Sequence, residues 1–364
     1  MDPLPAELGF RMPAEWEPHE ATWIAWPHHR EDWPKRFGPI PFVYAEIVRH
    51  LHASEKVYIL VNNARHEEQA RTVLSRLPLD WPRIRVFHIP TNRVWTRDYG
   101  PIFLVDHKGR PGLTDWHFNA WAKYPNWRRD DAVPRRINRE LQLPAWQPTA
   151  NGKRVALEGG SIDVNGQGLL LTTEECLLGP VQERNPGLSR AELEQVFADY
   201  LGVRKVLWLG RGIAGDDTHG HVDDLARFVG PSTVVTVVED DPGDANYEPL
   251  RENLERLCGM TDTVGNRLEV VSLPMPTPIY FDGQRLPASY ANFYIANDRV
   301  LVPTFNDPRD RQALGILAER FPDRTVVGIH AVDLVWGLGT LHCLTQQQPA
   351  GGQASGVKEG TGDG

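Results

Sequence analysis

Gly337-Leu338-Gly339-Thr340-Leu341-His342-Cys343-Leu344-Thr345-Gln346-Gln347-Gln348 sets a cysteine directly behind a glycine-spaced turn. Glycine has no side chain to block approach, so such a turn can bring backbone against a ligand, and Gly339 is the candidate contact. The chain holds two other cysteines, Cys176 and Cys258. Three widely spaced thiols argue against a disulfide framework and for a reducing, cytoplasmic compartment. A lone thiol of this kind is a nucleophile candidate where a histidine and a carboxylate are brought to it by the fold.

Moving outward, short runs rich in Val, Ile, Leu and aromatics predict strands at 57–61, 84–89, 102–105, 169–171, 206–209, 225–229, 233–238, 268–273, 292–296, 300–303 and 325–329. Helical periodicity predicts helices at 43–51, 67–77, 190–200, 249–257 and 309–320. Ser189 with Glu192 three positions on is a capping box, and Asp307-Pro308 is an entry signal for the last helix. Asn297-Asp298 between two strand-like runs is a hairpin turn. The theme of strand pair, helix and strand returns without long linkers, which makes residues 1–349 one α/β domain. The Gly-rich stretch 350–364 is expected to be a disordered tail.

Composition narrows the partners. A net charge of -9 disfavours nucleic acid, whose phosphates need a basic face. It mildly favours collecting a cationic small molecule. No apolar run approaches the roughly 20 residues of a membrane helix, so no membrane partner is expected, and Met1-Asp2-Pro3-Leu4-Pro5 lacks the start of a signal peptide. Twelve tryptophans and thirty prolines suggest rigid loops carrying large flat side chains. A homodimer is the default assembly.

Three further runs carry chemistry. They are Val94-Trp95-Thr96-Arg97-Asp98-Tyr99-Gly100-Pro101, Ala156-Leu157-Glu158-Gly159-Gly160, and Asp216-Asp217-Thr218-His219-Gly220-His221-Val222-Asp223-Asp224. Read as a strand, the last puts His219, His221 and Asp223 on one face. That pattern fits either a metal site such as zinc or an acid/base histidine beside a substrate-anchoring acid. Cys343 makes the second coherent, because a thiol needs a base or a nearby cation to become a thiolate. His342 is its neighbour in the chain, but adjacent extended residues point apart, so His221 is the better partner. A thiolate together with several carboxylates suits a guanidinium, a planar fork that each carboxylate can grip with two parallel bonds. Asp98 and Asp223 would fix its plane, and Glu158 would orient His221. Trp95 or Trp121 would pack along an aliphatic stem. Arg97 is either a substrate contact or a structural ion pair.

These runs, with Met12-Pro13-Ala14-Glu15-Trp16 and Phe118-Asn119-Ala120-Trp121, resemble the agmatine deiminase / bacterial (Porphyromonas-type) peptidylarginine deiminase family of guanidino-group-modifying enzymes, the penteins. The resemblance covers nearly the whole chain. It implies a five-bladed β/α propeller with pseudo-fivefold αβ repeats around a central active-site channel. It also implies Cys343 as nucleophile, His221 as general acid/base, Asp98 and Asp223 as guanidinium anchors, and Glu158 as an active-site acid, with no metal or other cofactor. The implied activity is hydrolysis of agmatine to N-carbamoylputrescine and ammonia, a step toward putrescine and other polyamines. A peptidylarginine or free-arginine deiminase is the alternative within the family. A non-catalytic guanidinium-binding protein and a metal-dependent hydrolase are the alternatives outside it. Tyr99, Ala122-Lys123 and Leu338 depart from the family's usual residues near the site.

Overall fold

The structure is a computed structural model, and it describes residues 3–351. The proposed tail beyond Gly351 lies outside the described residues.

Four three-stranded sheets share one strand order, and a four-stranded sheet, the first in the chain, begins in the same way. In the second, Ile102–Val105 runs antiparallel to Pro111–Thr114, which runs parallel to Ala145–Trp146. The third repeats this with Asp163–Val164, Leu169–Thr173 and Lys205–Leu209. The fourth uses Ala226–Gly230, Thr233–Val238 and Glu269–Pro274, and the fifth Tyr294–Ile295, Arg299–Thr304 and Thr325–His330. A parallel step needs a crossover, supplied here by helices Val133–Leu141, Arg190–Leu201, Tyr247–Gly259 and Asp310–Arg320. The first sheet has the same antiparallel start, made by the two ends of the chain: Gln346–Pro349 pairs with His19–Ala25. Two parallel steps follow, to Lys56–Val61 and Ile84–His88, over helices Ile40–Leu51 and Ala64–Leu74.

Local chemistry explains most boundaries. The Ser189–Glu192 capping box forms at the start of its helix, and Gly202, in the left-handed region at φ 68°, ends it. The Asn297-Asp298 turn joins two antiparallel strands. Pro308 falls in the turn just before its helix rather than inside it. Strands His19–Ala25, Pro111–Thr114 and Gln346–Pro349 and helix Val133–Leu141 were not anticipated from pattern.

The sheets meet on one buried carboxylate. Glu15 Oε1 accepts from the backbone N–H of Ile295 at 2.7 Å and lies 3.0 Å from Arg227 Nη2. Its Oε2 accepts from Arg97 Nη2 at 3.2 Å and lies 2.8 Å from His342 Nε2. Arg227 reaches on to Asp163 Oδ1 at 3.4 Å and donates to the Phe293 carbonyl at 2.8 Å. Burial alone would raise the pKa of Glu15, but Arg227, His342 and Arg97 hold its carboxyl well below the usual range. Removing one member of a buried ion network leaves the others uncompensated, at about 3–5 kcal/mol. Glu15→Ala is therefore expected to lose about that much stability in urea denaturation, while Glu15→Gln, which keeps acceptor and volume, loses less.

Candidate active site

Asp98 sits in the single helical turn Thr96–Tyr99, which is bound to the cysteine loop. Thr96 Oγ1 donates to the Leu344 carbonyl at 2.6 Å, and the Arg97 N–H donates to the Cys343 carbonyl at 3.1 Å. Gly100 follows because a Cβ there would lie 2.4 Å from the Thr96 carbonyl oxygen. Asp98 Oδ2 accepts from the Trp121 indole N–H at 2.9 Å. Aiming that indole requires Ala120, Trp121 and Ala122 all in the left-handed region, at φ 51°, 56° and 54°. Each costs a non-glycine residue roughly 1–2 kcal/mol, so strain is concentrated beside the site.

Glu158 precedes the turn Gly159–Ser161. Both glycines are required by close approach. A Cβ on Gly159 would fall 2.3 Å from the Arg97 carbonyl oxygen. One on Gly160 would fall 2.6 Å from His221 Nδ1, 2.7 Å from Asp98 Oδ1 and 3.0 Å from Asp223 Oδ2. The space above Gly160 is thus shared by three of the sequence-derived site residues.

The run holding His221 is not a strand. Asp216 Oδ2 accepts from the N–H groups of Gly220 and His221 at 2.7 and 3.2 Å, pulling the segment into a loop. Gly220 adopts φ 96°, and a turn over Val222–Asp224 follows. His219, at φ 63°, therefore points outward, 3.9 Å from Glu175, and does not share a face with His221. The expected His219–His221–Asp223 set is not formed. His221 is fully buried. Its Nδ1 is 3.7 Å from Asp98 Oδ1 and 4.0 Å from Asp223 Oδ1, and its Nε2 is 3.5 Å from Glu158 Oε2.

Cys343 is buried below the Gly339 turn, with Sγ 3.7 Å from Asp223 Oδ2. Gly339 is also a close approach, since a Cβ would lie 2.9 Å from the Trp95 ring. Trp95, Asp98, Trp121, Gly339 and Cys343 all line one cavity of about 460 Å³, whose rim carries Glu31, Asp32, Asp217 and Arg93. Arg97 is not brought there. Its guanidinium is spent on Glu15, on Gln347 Oε1 at 2.6 Å and on the His342 carbonyl at 3.3 Å, which is the structural ion-pair reading.

Three residues of the site escaped sequence reasoning. His342 stands between Asp223 Oδ2 at 2.7 Å and Glu15 Oε2 at 2.8 Å, so it holds the acid rather than the thiol. Asn292 accepts from Thr340 Oγ1 at 2.7 Å and the His342 N–H at 3.1 Å, and its Nδ2 donates to Cys343 Sγ at 3.2 Å. Arg184, fully buried, donates to Glu158 from Nε at 3.2 and 3.3 Å. A polar letter inside an apolar run could have flagged His342 and Asn292, whereas Arg184, in Gln182-Glu183-Arg184-Asn185, carries no such signal.

Electrostatics separates the acids. Burial raises Asp98 to about 7; His221 opposes this, while Asp223 and Glu158 add to it. Burial acts on Glu158 too, but Arg184 and His221 bring it down to about 2. Asp223 is likewise held low against burial, chiefly by His342. Burial would lower His221, yet Asp98 and its other neighbours drive it well above the ordinary imidazole value. Burial, with Asp223, Asp224 and Asp98 adding, pushes the Cys343 thiol well up. In the free site the thiol is therefore protonated, and an added cation is what the surroundings lack.

The model of the Porphyromonas-type peptidyl-arginine deiminase family matches residues 11–349. An agmatine deiminase of Pseudomonas aeruginosa is 39% identical, over 95% of this chain and 97% of its own. The structure of an agmatine deiminase of Enterococcus faecalis superposes with a TM-score of 0.87 at 36% identity, covering 96% of this chain and 98% of that one. A putative arginine deiminase of Porphyromonas gingivalis gives 0.84 at 37% identity, over 94% and 99%. With Cys343 and Asp98 lining one cavity, His221 and Asp223 buried behind them, and a family match running from Arg11 to Pro349, this chain belongs to the Porphyromonas-type peptidyl-arginine deiminase family.

Proposed function

We propose that this protein is an agmatine deiminase, converting agmatine and water to N-carbamoylputrescine and ammonia on the way to putrescine. One observation carries the choice of substrate. Besides Asp98, the cavity lining holds three carboxylates, Glu31, Asp32 and Asp217, and one guanidinium, Arg93. Arg93 is paired with Asp32 and Asp217 with Lys123, which leaves the exposed Glu31 as the carboxylate with no Lys or Arg partner among the described residues. Arg93 also lies over the Tyr124 ring, 4.2 Å from its centroid. A rim of that charge attracts the free ammonium of a decarboxylated guanidino-amine. It repels the carboxylate of free arginine, which has no unpaired cation to meet.

The reaction has two halves. Asp98 and Asp223 grip the guanidinium, and its charge favours the thiolate of Cys343, whose proton passes to solvent and is regained from the hydroxyl of the adduct when the ureido product leaves. The sulfur adds to the guanidinium carbon, and His221 protonates the departing nitrogen, so that ammonia leaves and an amidino-thioether remains. His221, now neutral, takes a proton from water; the oxygen adds to the carbon, the C–S bond breaks, and a ureido product departs. This is covalent catalysis with one group serving as acid and then base. Glu158, fixed by Arg184, keeps the imidazole in place. Trp95 and Trp121 flank the aliphatic stem, and Gly339 leaves room for it.

The four sheets of equal strand order and the first sheet that begins as they do, bound together at Glu15, support a five-bladed β/α propeller around this cavity, a single domain through residue 349. Three unpaired cysteines suit a reducing cytoplasm. No helix among the described residues is long and apolar enough to cross a membrane. The expected assembly is a twofold dimer, which light scattering reads directly.

Cys343→Ser is expected to abolish ureido-product formation from agmatine, by roughly 10³-fold or more; full turnover by this variant refutes the mechanism. Gly160→Ala, which sets a methyl among His221, Asp98 and Asp223, should lower kcat/KM by about 100-fold and, by overpacking a buried site, cost about 1–3 kcal/mol of stability in urea denaturation. Asp98 is protonated below about 7 and must ionise to bind a guanidinium. Agmatine binding to Cys343→Ser at pH 6, measured by calorimetry in two buffers, should release about one proton, and almost none at pH 8.5. Equal release at both pH values would contradict the role of Asp98.

A further inference from the structure

A second thiol lies behind the site. Cys176 belongs to helix Glu174–Leu178 and is completely buried. One oxygen of Glu158, one ring nitrogen of His221 and the Cys176 sulfur all lie within 4.8 Å of one another. Histidine, thiol and carboxylate are the ligand types of zinc. We propose that Glu158, Cys176 and His221 form an inhibitory site for a thiophilic divalent cation such as zinc, which captures the acid/base histidine from its buried side.

Three observations carry this. First, neither ring nitrogen of the fully buried His221 has a hydrogen-bond partner among the described residues. Second, Glu158 Oε2 stands 3.5 Å from His221 Nε2, close to the roughly 3.3–3.5 Å edge that tetrahedral zinc imposes between nitrogen and oxygen ligands. Third, the segments carrying the thiol and the imidazole are bolted together. Thr173 Oγ1 accepts from the Cys176 N–H at 3.1 Å and donates to the Gly220 carbonyl, one residue before His221, at 2.6 Å. Ligands on a fixed frame need little rearrangement to close on an ion.

Coordination is a proton exchange. The ion forms bonds to sulfur, nitrogen and oxygen, and the thiol proton and the proton on the ligating nitrogen leave to solvent. Two unit charges go out and a dication comes in, so the charge seen by neighbouring Arg184 is unchanged. With Nε2 bonded to metal the ring keeps one proton on Nδ1 and cannot become an imidazolium, so His221 can no longer cycle between giving a proton to ammonia and taking one from water. That consequence rests on the role proposed for His221; the binding itself does not.

The test uses full-length, reduced, chelator-treated protein in a Cys258→Ser background, since Cys258 is exposed. Titration with cobalt(II) should give one equivalent of tetrahedral d–d absorption with a sulfur-to-cobalt charge-transfer band. The band should persist in Cys343→Ala and disappear in both Cys176→Ala and Cys176→Ser, whose circular dichroism reports that they fold. Zinc at ten times its dissociation constant should slow agmatine turnover about tenfold, reversibly with a chelator, and Cys176→Ser should escape this relative to its own uninhibited rate. A band lost in Cys343→Ala and kept in the Cys176 variants would put the ion on the nucleophile and overturn the proposal, as would no band at all. A Cys176-dependent band without inhibition overturns the inhibitory role. A protein that forms this band but never turns over agmatine refutes the proposed activity and leaves the metal site standing.

Discussion

Everything near the centre of this molecule leans on the Glu15 carboxylate. It accepts charge-assisted bonds from Arg97 and His342, lies within ion-pair distance of Arg227, and takes the backbone N–H of Ile295. Charge-assisted bonds are short and directional, so Glu15 fixes position as well as neutralising charge. Arg97 precedes the second sheet, Arg227 lies in the fourth and Ile295 in the fifth, while Asp163 of the third is reached through Arg227. The cost of burying so many ions is met only because each has partners. A partly filled network of this kind would be worse than an apolar core.

The same network sets the chemistry one step away. His342 couples Glu15 to Asp223, and Asp223 lies against the Cys343 sulfur. Asp223 and Glu158 are each tied to a basic side chain and stay ionised. Asp98 has the indole of Trp121 and the N–H of Gly160 but no dedicated cation of its own beyond His221, and burial lifts it. The site is thus two acids held charged, one acid near neutrality and a protonated thiol. The guanidinium of the proposed substrate is the planar cation that completes it, which couples ionisation of Cys343, the proposed nucleophile, to ligand arrival.

What could be read from the residues depended on whether a side chain announces its own environment. Asp98, Glu158, His221, Asp223 and Cys343 stand in runs with glycines whose removal would bring atoms within 3 Å, and those runs were legible. The strand reading of residues 219–224 failed because alternation of letters is shared by strands and by loops. What differs is Gly220 at φ 96° and the grip of Asp216 on two N–H groups. The strand Gln346–Pro349 has no hydrophobic period to detect. Its glutamines are buried because Gln346 donates to the Pro101 carbonyl, Gln347 accepts from Arg97 and Gln348 accepts from the Trp23 indole. His19–Ala25 is buried along almost its whole length, so it too lacks alternation. Glu15, Asn292 and Arg184 act through partners that are distant in sequence, and nothing local in the chain names those partners.

The pairing of Gln346–Pro349 with His19–Ala25 has a kinetic meaning. It joins residues more than 300 positions apart, and contacts of such separation form only after the entropy of closing the intervening loop has been overcome. Cys343 lies immediately before that final strand. Until the clasp closes, Asp223, Asn292 and Asp98 are not gathered around the sulfur, and the thiol behaves as an ordinary one. Closing of the clasp and the gathering of these polar groups around the thiol are therefore a single event.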